Sequence, residues 1–230
     1  MKLHNSIVII GGGPVGLTLA LQLAQYHIPC VVINAAVNEI DARILALSIA
    51  SQATLAELNA WPSIATAIDS VRISHNGLGV SQITAEAIGL PHLGYTVAYT
   101  DLCAKLLKVV QANSLIELIE GQVTAVQDGA VYVTISYTAN EILHLVTASL
   151  VVMAEGGNLL QNTSQNNNYN YNYGKLALVA RVKTKESAAS IAYERFARHG
   201  SLVLLPYQHD FAISNWQILG ENYLDAGNDH

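Results

Sequence analysis

The sequence predicts an α/β fold in which a nucleotide-binding sheet is interrupted by a second, β-rich region. Three observations predict it. The apolar run Ser6-Ile7-Val8-Ile9-Ile10 passes through Gly11-Gly12-Gly13-Pro14-Val15-Gly16 into the helical pattern Leu17 to Ala24 and then a second apolar strand, Cys30-Val31-Val32-Ile33. Far downstream, Leu150-Val151-Val152-Met153-Ala154 is a continuous apolar run, the pattern of a strand covered on both faces in a parallel sheet. Between and beyond these, short alternating segments with turn residues predict strands that belong elsewhere.

The first observation carries chemistry. A strand that turns into a helix through G-x-G-x-x-G is a pyrophosphate site: Gly11 permits the tight turn, Gly13 lets the backbone approach phosphate without a Cβ in the way, and Gly16 lets the helix pack close to the strand. The helix N-terminus, opened by Pro14, presents N–H groups and a partial positive charge to the anion. Asn34 ends the second strand, where a dinucleotide site ordinarily carries Asp or Glu to accept from ribose hydroxyls. Its amide oxygen can accept one such bond but lacks the charge that strengthens it. The alternative is that Asn34 serves the strand-to-loop turn, and both readings predict weakened adenosine binding.

The remaining elements follow in order. A polar linker, 38–41, leads to Ala42-Arg43-Ile44-Leu45, and 51–60 has helical spacing stopped by Trp61-Pro62. The stretch 71–90 alternates around His75-Asn76-Gly77, and 99–111 is a helix with Leu102, Leu106, Leu107 and Val110 on one side. Strands are predicted at 116–119 and 122–127, and Asp128-Gly129 predicts a hairpin to 131–137. The Asn/Tyr-rich segment 161–173 is predicted to be a mobile loop. Segments 177–182, 201–205 and 212–216 predict further strands. The domain division expected is 1–70 with 95–160 for the nucleotide domain, and 71–94 with 174–230 for the β-rich domain.

Composition narrows the function. In 230 residues, 51% are hydrophobic and the mean hydropathy is +0.32, which predicts a folded core. Only 12% are charged, about half the usual share, which points to a buried partner surface, a membrane-facing surface or a missing piece. A net charge of −6 without a Lys/Arg stripe excludes nucleic acid as a partner. Cys30 and Cys103 read as reduced thiols, and no secretory signal pattern is recognised at Met1. The expected location is the cytoplasm, with contact at the inner membrane left open. No histidine spacing suits a metal, so His92, His144 and His199 read as surface or packed residues and the metal site is predicted as none.

Several separated segments together resemble the ubiquinone-biosynthesis FAD-dependent hydroxylases of the 2-polyprenyl-6-methoxyphenol hydroxylase type. These are the glycine turn, Asp41-Ala42-Arg43-Ile44-Leu45-Ala46-Leu47-Ser48, Val152-Met153-Ala154-Glu155-Gly156, Tyr173-Gly174-Lys175-Leu176-Ala177, and Tyr193-Glu194-Arg195-Phe196 with Gly200-Ser201-Leu202 and Leu204-Leu205-Pro206. The resemblance implies a Rossmann-type FAD-binding domain interrupted by a β-rich substrate domain, and hydroxylation of a phenolic polyprenyl substrate through a flavin hydroperoxide, with NAD(P)H as reductant. FAD carries the oxygen chemistry in such proteins, and the protein supplies binding and exclusion of water. By resemblance Gly11, Gly13, Pro14 and Gly16 hold the pyrophosphate, Asn34 meets the ribose, Arg43 lies along the cofactor, and Glu155-Gly156 stands where the family has Asp-Gly.

The departures are equally specific. Glu155 is one methylene longer than the family's Asp, and Leu159 and Leu160 replace polar and basic residues. No G-D-x-x-H, the family's second FAD motif, occurs in these 230 residues. The expectation is therefore half of an FAD site, with no catalytic residue assignable. Two alternatives stand beside the monooxygenase: a non-catalytic relative acting as an interaction module, and an NAD-binding protein, against which counts the lack of a Tyr-x-x-x-Lys or similar catalytic set.

Overall fold

The computed structural model describes residues 4–35, 41–75, 79–156, 176–183, 190–197, 200–208 and 215–222. Along the chain these form β1 (His4–Ile10), α1 (Pro14–Gln25), β2 (Cys30–Asn34), β3 (Ile44–Ser48), α2 (Ile49–Glu57), β4 (Thr66–Ile68), β5 (Ser70–His75), β6 (Val80–Thr84), β7 (Gly94–Ala98) and α3 (Tyr99–Gln111). There follow β8 (Ile116–Glu120), β9 (Gln122–Asp128), β10 (Val133–Ala139), β11 (Ile142–Met153), β12 (Leu176–Lys183), β13 (Ile191–Ala197), β14 (Gly200–Tyr207) and β15 (Asn215–Asn222).

The chain divides into two compact units, the first Met1–Ile40, Leu55–Trp61 and Leu102–Asn170, the second Asp41–Thr54, Pro62–Asp101 and Tyr171–His230. The boundary differs from the one read in the sequence. Residues 41–54, 62–70 and 95–101, expected with the nucleotide sheet, fall in the second unit, because β3, β4 and β7 pair only with one another.

The first unit is one six-stranded sheet ordered β8-β2-β1-β11-β10-β9. β1 lies parallel to β2 and to β11, where Val8 pairs with Val31 and with Val151. β11 is longer than the sequence suggested: its first half is the antiparallel partner of β10, its second the parallel partner of β1. The sheet curls, so that β9 comes against β2 although three strands separate them in sheet order. Side chains of β9, β10 and β11 thereby close over one face, with Val123, Ile135, Tyr137 and Val146 packing with Val8, Ile10, Val31 and Ile33. Helix α1 packs on β1, β2 and β8. Both faces of β1 are therefore covered, and this explains its unbroken Ile/Val run.

Two sequence expectations need correction here. Val151, Val152 and Met153 are only half-buried and Leu150 is exposed, so the downstream apolar run is not doubly buried. The hairpin at Asp128-Gly129 closes at Asp128 opposite Val133 with a loop at 129–132, not a two-residue turn, and Val131 is 84% exposed instead of starting the strand. In this longer loop Gly129 does not take the positive φ that a type I′ turn requires.

α2 starts two residues earlier than predicted and ends at Glu57, before Trp61-Pro62. The stop is Asn59 at φ 56°, with the Asn59 N–H donating to the Ala56 carbonyl and the Ala60 N–H to that of Leu55, a left-handed cap. α3 covers the predicted range and buries Leu102, Leu106 and Val110. Segment 161–173 lies outside the described residues.

The second unit holds a six-stranded sheet ordered β12-β15-β14-β13-β5-β6, and a three-stranded sheet ordered β3-β7-β4. β13 runs parallel to β5, and every other pairing in both sheets is antiparallel. One face of the larger sheet is sealed by Ala192, Leu205, Val71 and Val203 against Ile68 and Leu93. Ile44, Ala98 and Tyr207 form a second small core.

Cys30 and Cys103 are free thiols, Cys30 buried and Cys103 partly exposed. Burial pushes the Cys30 thiol from its ordinary 9.0 up to about 11. The folded protein thus holds this proton to higher pH than the unfolded chain. The associated stability is complete below about pH 9 and is lost as pH rises towards 11. We expect Cys30 to resist an aromatic disulfide reagent at pH 8 until the protein unfolds, and urea midpoints to fall between pH 9 and 11. Prompt labelling of Cys30 in the native protein would contradict its burial.

Candidate functional site

Two glycines at positive φ, Gly11 and Gly156, stand at the carboxyl ends of β1 and β11. β1 stands between β2, reached through α1, and β11, which arrives from far along the chain, so the crevice beyond its end is a switch point of the sheet. Gly11 enters it at φ +111°, its N–H donating to the Ile33 carbonyl at 2.8 Å. The Ala154 N–H donates to the Ile10 carbonyl at 2.7 Å, which draws the end of β11 across the turn. A Cβ on Gly11 would lie 2.4 Å from the Ala154 carbonyl oxygen and 2.8 Å from the Glu155 nitrogen. Glycine is required at this position twice over, by φ and by space.

Gly16 is required by space alone. A Cβ there would lie 2.0 Å from the Gly11 carbonyl oxygen and 3.3 Å from Ile9 Cγ2, so the first turn of α1 sits directly on the glycine turn and on β1. Gly13 is the N-cap, extended at φ −76° and ψ 179°, a conformation any residue adopts. The case for glycine at 13 therefore rests on the space in front of the helix and not on strain. Pro14 occupies the first helical position, no side chain caps the helix, and no acidic residue stands in its first turn. The first turn of α1 itself supplies no counter-charge to the positive end of the helix.

Asn34 joins this group directly. The Gly12 N–H donates to Asn34 Oδ1 at 2.8 Å, and a Cβ on Gly12 would meet Asn34 Cγ at 2.5 Å. The Asn34 carbonyl in turn accepts from the Gly121 N–H at 2.8 Å, anchoring β2 to the β8-β9 turn. With one lone pair of Oδ1 engaged by Gly12, Asn34 keeps one further acceptor site and the two N–H donors of its NH2. The side-chain oxygen of Asn34 thus supports the glycine turn through Gly12. Gly12 is the residue that motif reasoning passed over, since G-x-G-x-x-G leaves its position open. Asn in place of an acid was the signal that could have found it.

Glu155 and Gly156 follow at the end of β11 on the far side of Gly11, with Gly156 at φ +86° and open space around it. Leu159 and Leu160 lie outside the described residues. Gly11, Gly13, Pro14, Gly16, Asn34, Glu155 and Gly156 all belong to the first unit.

Arg43 belongs to the second unit. It stands just before β3 and forks onto Asp41, its Nε 2.9 Å and 2.8 Å from the two carboxylate oxygens, while its backbone N–H also donates to Asp41. Its guanidinium lies over the Tyr99 ring, 4.8 Å from the centroid. Hydrogen bonding from Arg43 holds the Asp41 carboxyl below its usual range against a smaller opposing effect of burial. The histidines singled out in the sequence are engaged otherwise: His92 pairs with Asp69 at 2.6 Å and His144 stacks on Tyr137, while His199 lies outside the described residues.

No family model matches the chain. It is 25% identical over 225 residues to the 3-demethoxyubiquinol 3-hydroxylase of Escherichia coli K12, spanning 92% of this chain and 57% of that protein. Among solved structures it is similar to the p-nitrophenol 4-monooxygenase PnpA from Pseudomonas putida DLL-E4, with a TM-score of 0.78 and 15% identity over 99% of this chain and 60% of that one. It is also similar to the flavin-dependent monooxygenase PieE, solved with FAD and substrate, at a TM-score of 0.70 and 17% identity over 99% of this chain and 44% of that one. The fold is the α/β fold of these FAD-dependent monooxygenases. The chain spans 57% of the Escherichia coli hydroxylase, 60% of PnpA and 44% of PieE.

Proposed function

We propose that the first unit binds the ADP half of FAD and that the chain contributes to an FAD-dependent monooxygenase acting on a phenolic ring. The observation that carries this reading is the glycine turn: Gly11 pinned between β2 and β11, Gly16 against its carbonyl, and a helix N-terminus with neither cap nor acid in front of it. These residues fit a pyrophosphate. Gly13 and the N-terminus of α1 would hold its oxygens, and Asn34 would stand beside the ribose. FAD, when bound, supplies the activation of O2. The chain's own residues bind and orient: Glu155 and Gly156 shape the far wall of the turn, and Arg43, already forked onto Asp41, offers a preset guanidinium plane.

The similarity to 3-demethoxyubiquinol 3-hydroxylase supports a ubiquinone precursor as substrate. One observation favours a second reading, a non-catalytic relative: β2 ends on an amide, Asn34, which lacks the charge that strengthens a bond from a ribose hydroxyl. The visible spectrum of FAD at equilibrium with the purified protein, taken as a difference against free FAD, separates the two. A perturbed flavin spectrum is expected. A protein that binds ADP yet leaves the flavin spectrum unchanged supports the second reading, and one that binds neither overturns nucleotide binding altogether.

A further inference from the structure

The second unit carries a hollow of about 330 Å3 on the face of its larger sheet opposite to the sealed one. Strand register explains its lining. Arg72 lies beside Tyr193 and Ser74 beside Arg195 across the parallel β5–β13 pair, while Leu204 and Leu202 stand opposite Tyr193 and Arg195 on β14. Val80 pairs with Ser74 at the other edge. With alternation along each strand, these side chains share one face, and Val71, Ala192, Val203 and Leu205 take the other. Glu194, which also borders the hollow, pairs with Ile73 and Val203 and so alternates towards the opposite face.

Two guanidiniums therefore project from neighbouring strands, offset by two residues. At about 4.8 Å between strands and about 3.3 Å per residue, their Cα atoms lie about 8 Å apart, within joint reach of one anionic group. Among the described residues their charges are unanswered. Arg43 has Asp41, and Arg181 donates to the Ala42 carbonyl and lies over Tyr207. Among the described residues Arg72 has only the neutral Gln82, at 3.2 Å from its Nε, and neither Arg72 nor Arg195 has a carboxylate within ion-pair distance. Beside them Leu202, Leu204 and Val80 form an apolar wall. A volume of this size suits a small molecule, and paired guanidinium forks suit carboxylate or phosphate oxygens.

We propose that this hollow is a binding site for an amphiphilic anion, a carboxylate or phosphate carried on an apolar body, with Arg72 and Arg195 holding the anionic oxygens and Leu202 and Leu204 the apolar part. The site lies within the second unit and does not depend on the nucleotide reading of the first. The test is calorimetric titration of the full chain with octanoate, octyl phosphate and neutral octanol. Arg72→Gln, Arg195→Gln and the double variant are compared with the parent, and thermal unfolding confirms that each variant is folded.

At least one anion is expected to bind the parent more tightly than octanol. Each single substitution should weaken that binding about tenfold, the loss of one charge-assisted contact, and leave octanol unchanged. Dependence for octanoate alone identifies a carboxylate ligand, and for octyl phosphate alone a phosphate. Equal affinity of parent and folded variants for both anions, or no anion binding at millimolar concentration, overturns the proposal.

Discussion

Gly11→Ala should cost the protein about 2–6 kcal/mol of stability, summing about 1–3 for a non-glycine residue held at positive φ and about 1–3 for an overpacked contact. The overpacked contact is with backbone: the new methyl would stand 2.4 Å from the Ala154 carbonyl oxygen and 2.8 Å from the Glu155 nitrogen. No rotamer change relieves it, so the end of β11 must move away from β1 and give up the Ala154–Ile10 hydrogen bond. Two companion variants separate the causes. Gly16→Ala keeps helical φ and gains about 1 kcal/mol of helix propensity, yet places a methyl 2.0 Å from the Gly11 carbonyl oxygen, so it should still destabilise. Gly156→Ala, at φ +86° in open space, should lose only the conformational part, about 1 kcal/mol. Urea unfolding followed by circular dichroism gives all three midpoints. Should Gly11→Ala unfold no earlier than Gly156→Ala, the close approach of β11 to the glycine turn is wrong.

How much of this could be read from the sequence depends on whether the determining contacts are local. The unit β1-α1-β2 was legible because its periodicity changes from strand to helix and back within thirty residues, with glycines marking the change. The return of Val151 to the same sheet as Ile9 was legible from an unbroken apolar run. What that run did not reveal was its open side: Leu143, Leu145 and Leu150 are exposed, and exposure is settled by what packs opposite. The hairpin at Asp128-Gly129 was found but its register was not, since φ at Gly129 is set by the loop as a whole. β3, β4 and β7 have the composition of core strands and no local sign of forming their own sheet. β15 (Asn215–Asn222) pairs β12 with β14, a partnership that carries no short-range signature.

The sites divide along the same line. Gly11, Gly13, Pro14 and Gly16 are a contiguous motif and were found together, whereas the Gly12–Asn34 bond spans 22 residues and needed β1 and β2 side by side. Asp41 and Arg43 are two apart, a spacing from which their fork could have been anticipated. Arg72 and Arg195 become neighbours only through the parallel β5–β13 pairing, which no pattern in either segment announces.

The glycine turn makes the sharpest functional prediction. The 230-residue chain should bind ADP and FAD with similar affinity, because the residues that fit a ligand in the first unit, the turn at Gly11 to Gly13 and the start of α1, address the pyrophosphate and ribose common to both. Gly13→Val should abolish binding of either nucleotide. Its extended backbone, at φ −76°, accepts valine without strain, so the loss will report the space in front of the helix and not misfolding, and an unchanged urea midpoint checks this. Asn34→Asp should act in the opposite direction. Aspartate is the isosteric choice: one oxygen keeps the Gly12 N–H bond, now seen at 2.8 Å, and the other replaces the NH2 donor with a charged acceptor for a ribose hydroxyl. The gain expected is about 1–2 kcal/mol for both nucleotides, the difference between a neutral and a charge-assisted hydrogen bond. Calorimetric titration of the parent and the two variants with ADP and FAD decides the matter. Nanomolar FAD beside micromolar ADP in the parent would show that this chain also holds the flavin ring, and a Gly13→Val protein that binds like the parent would remove the phosphate from the N-terminus of α1.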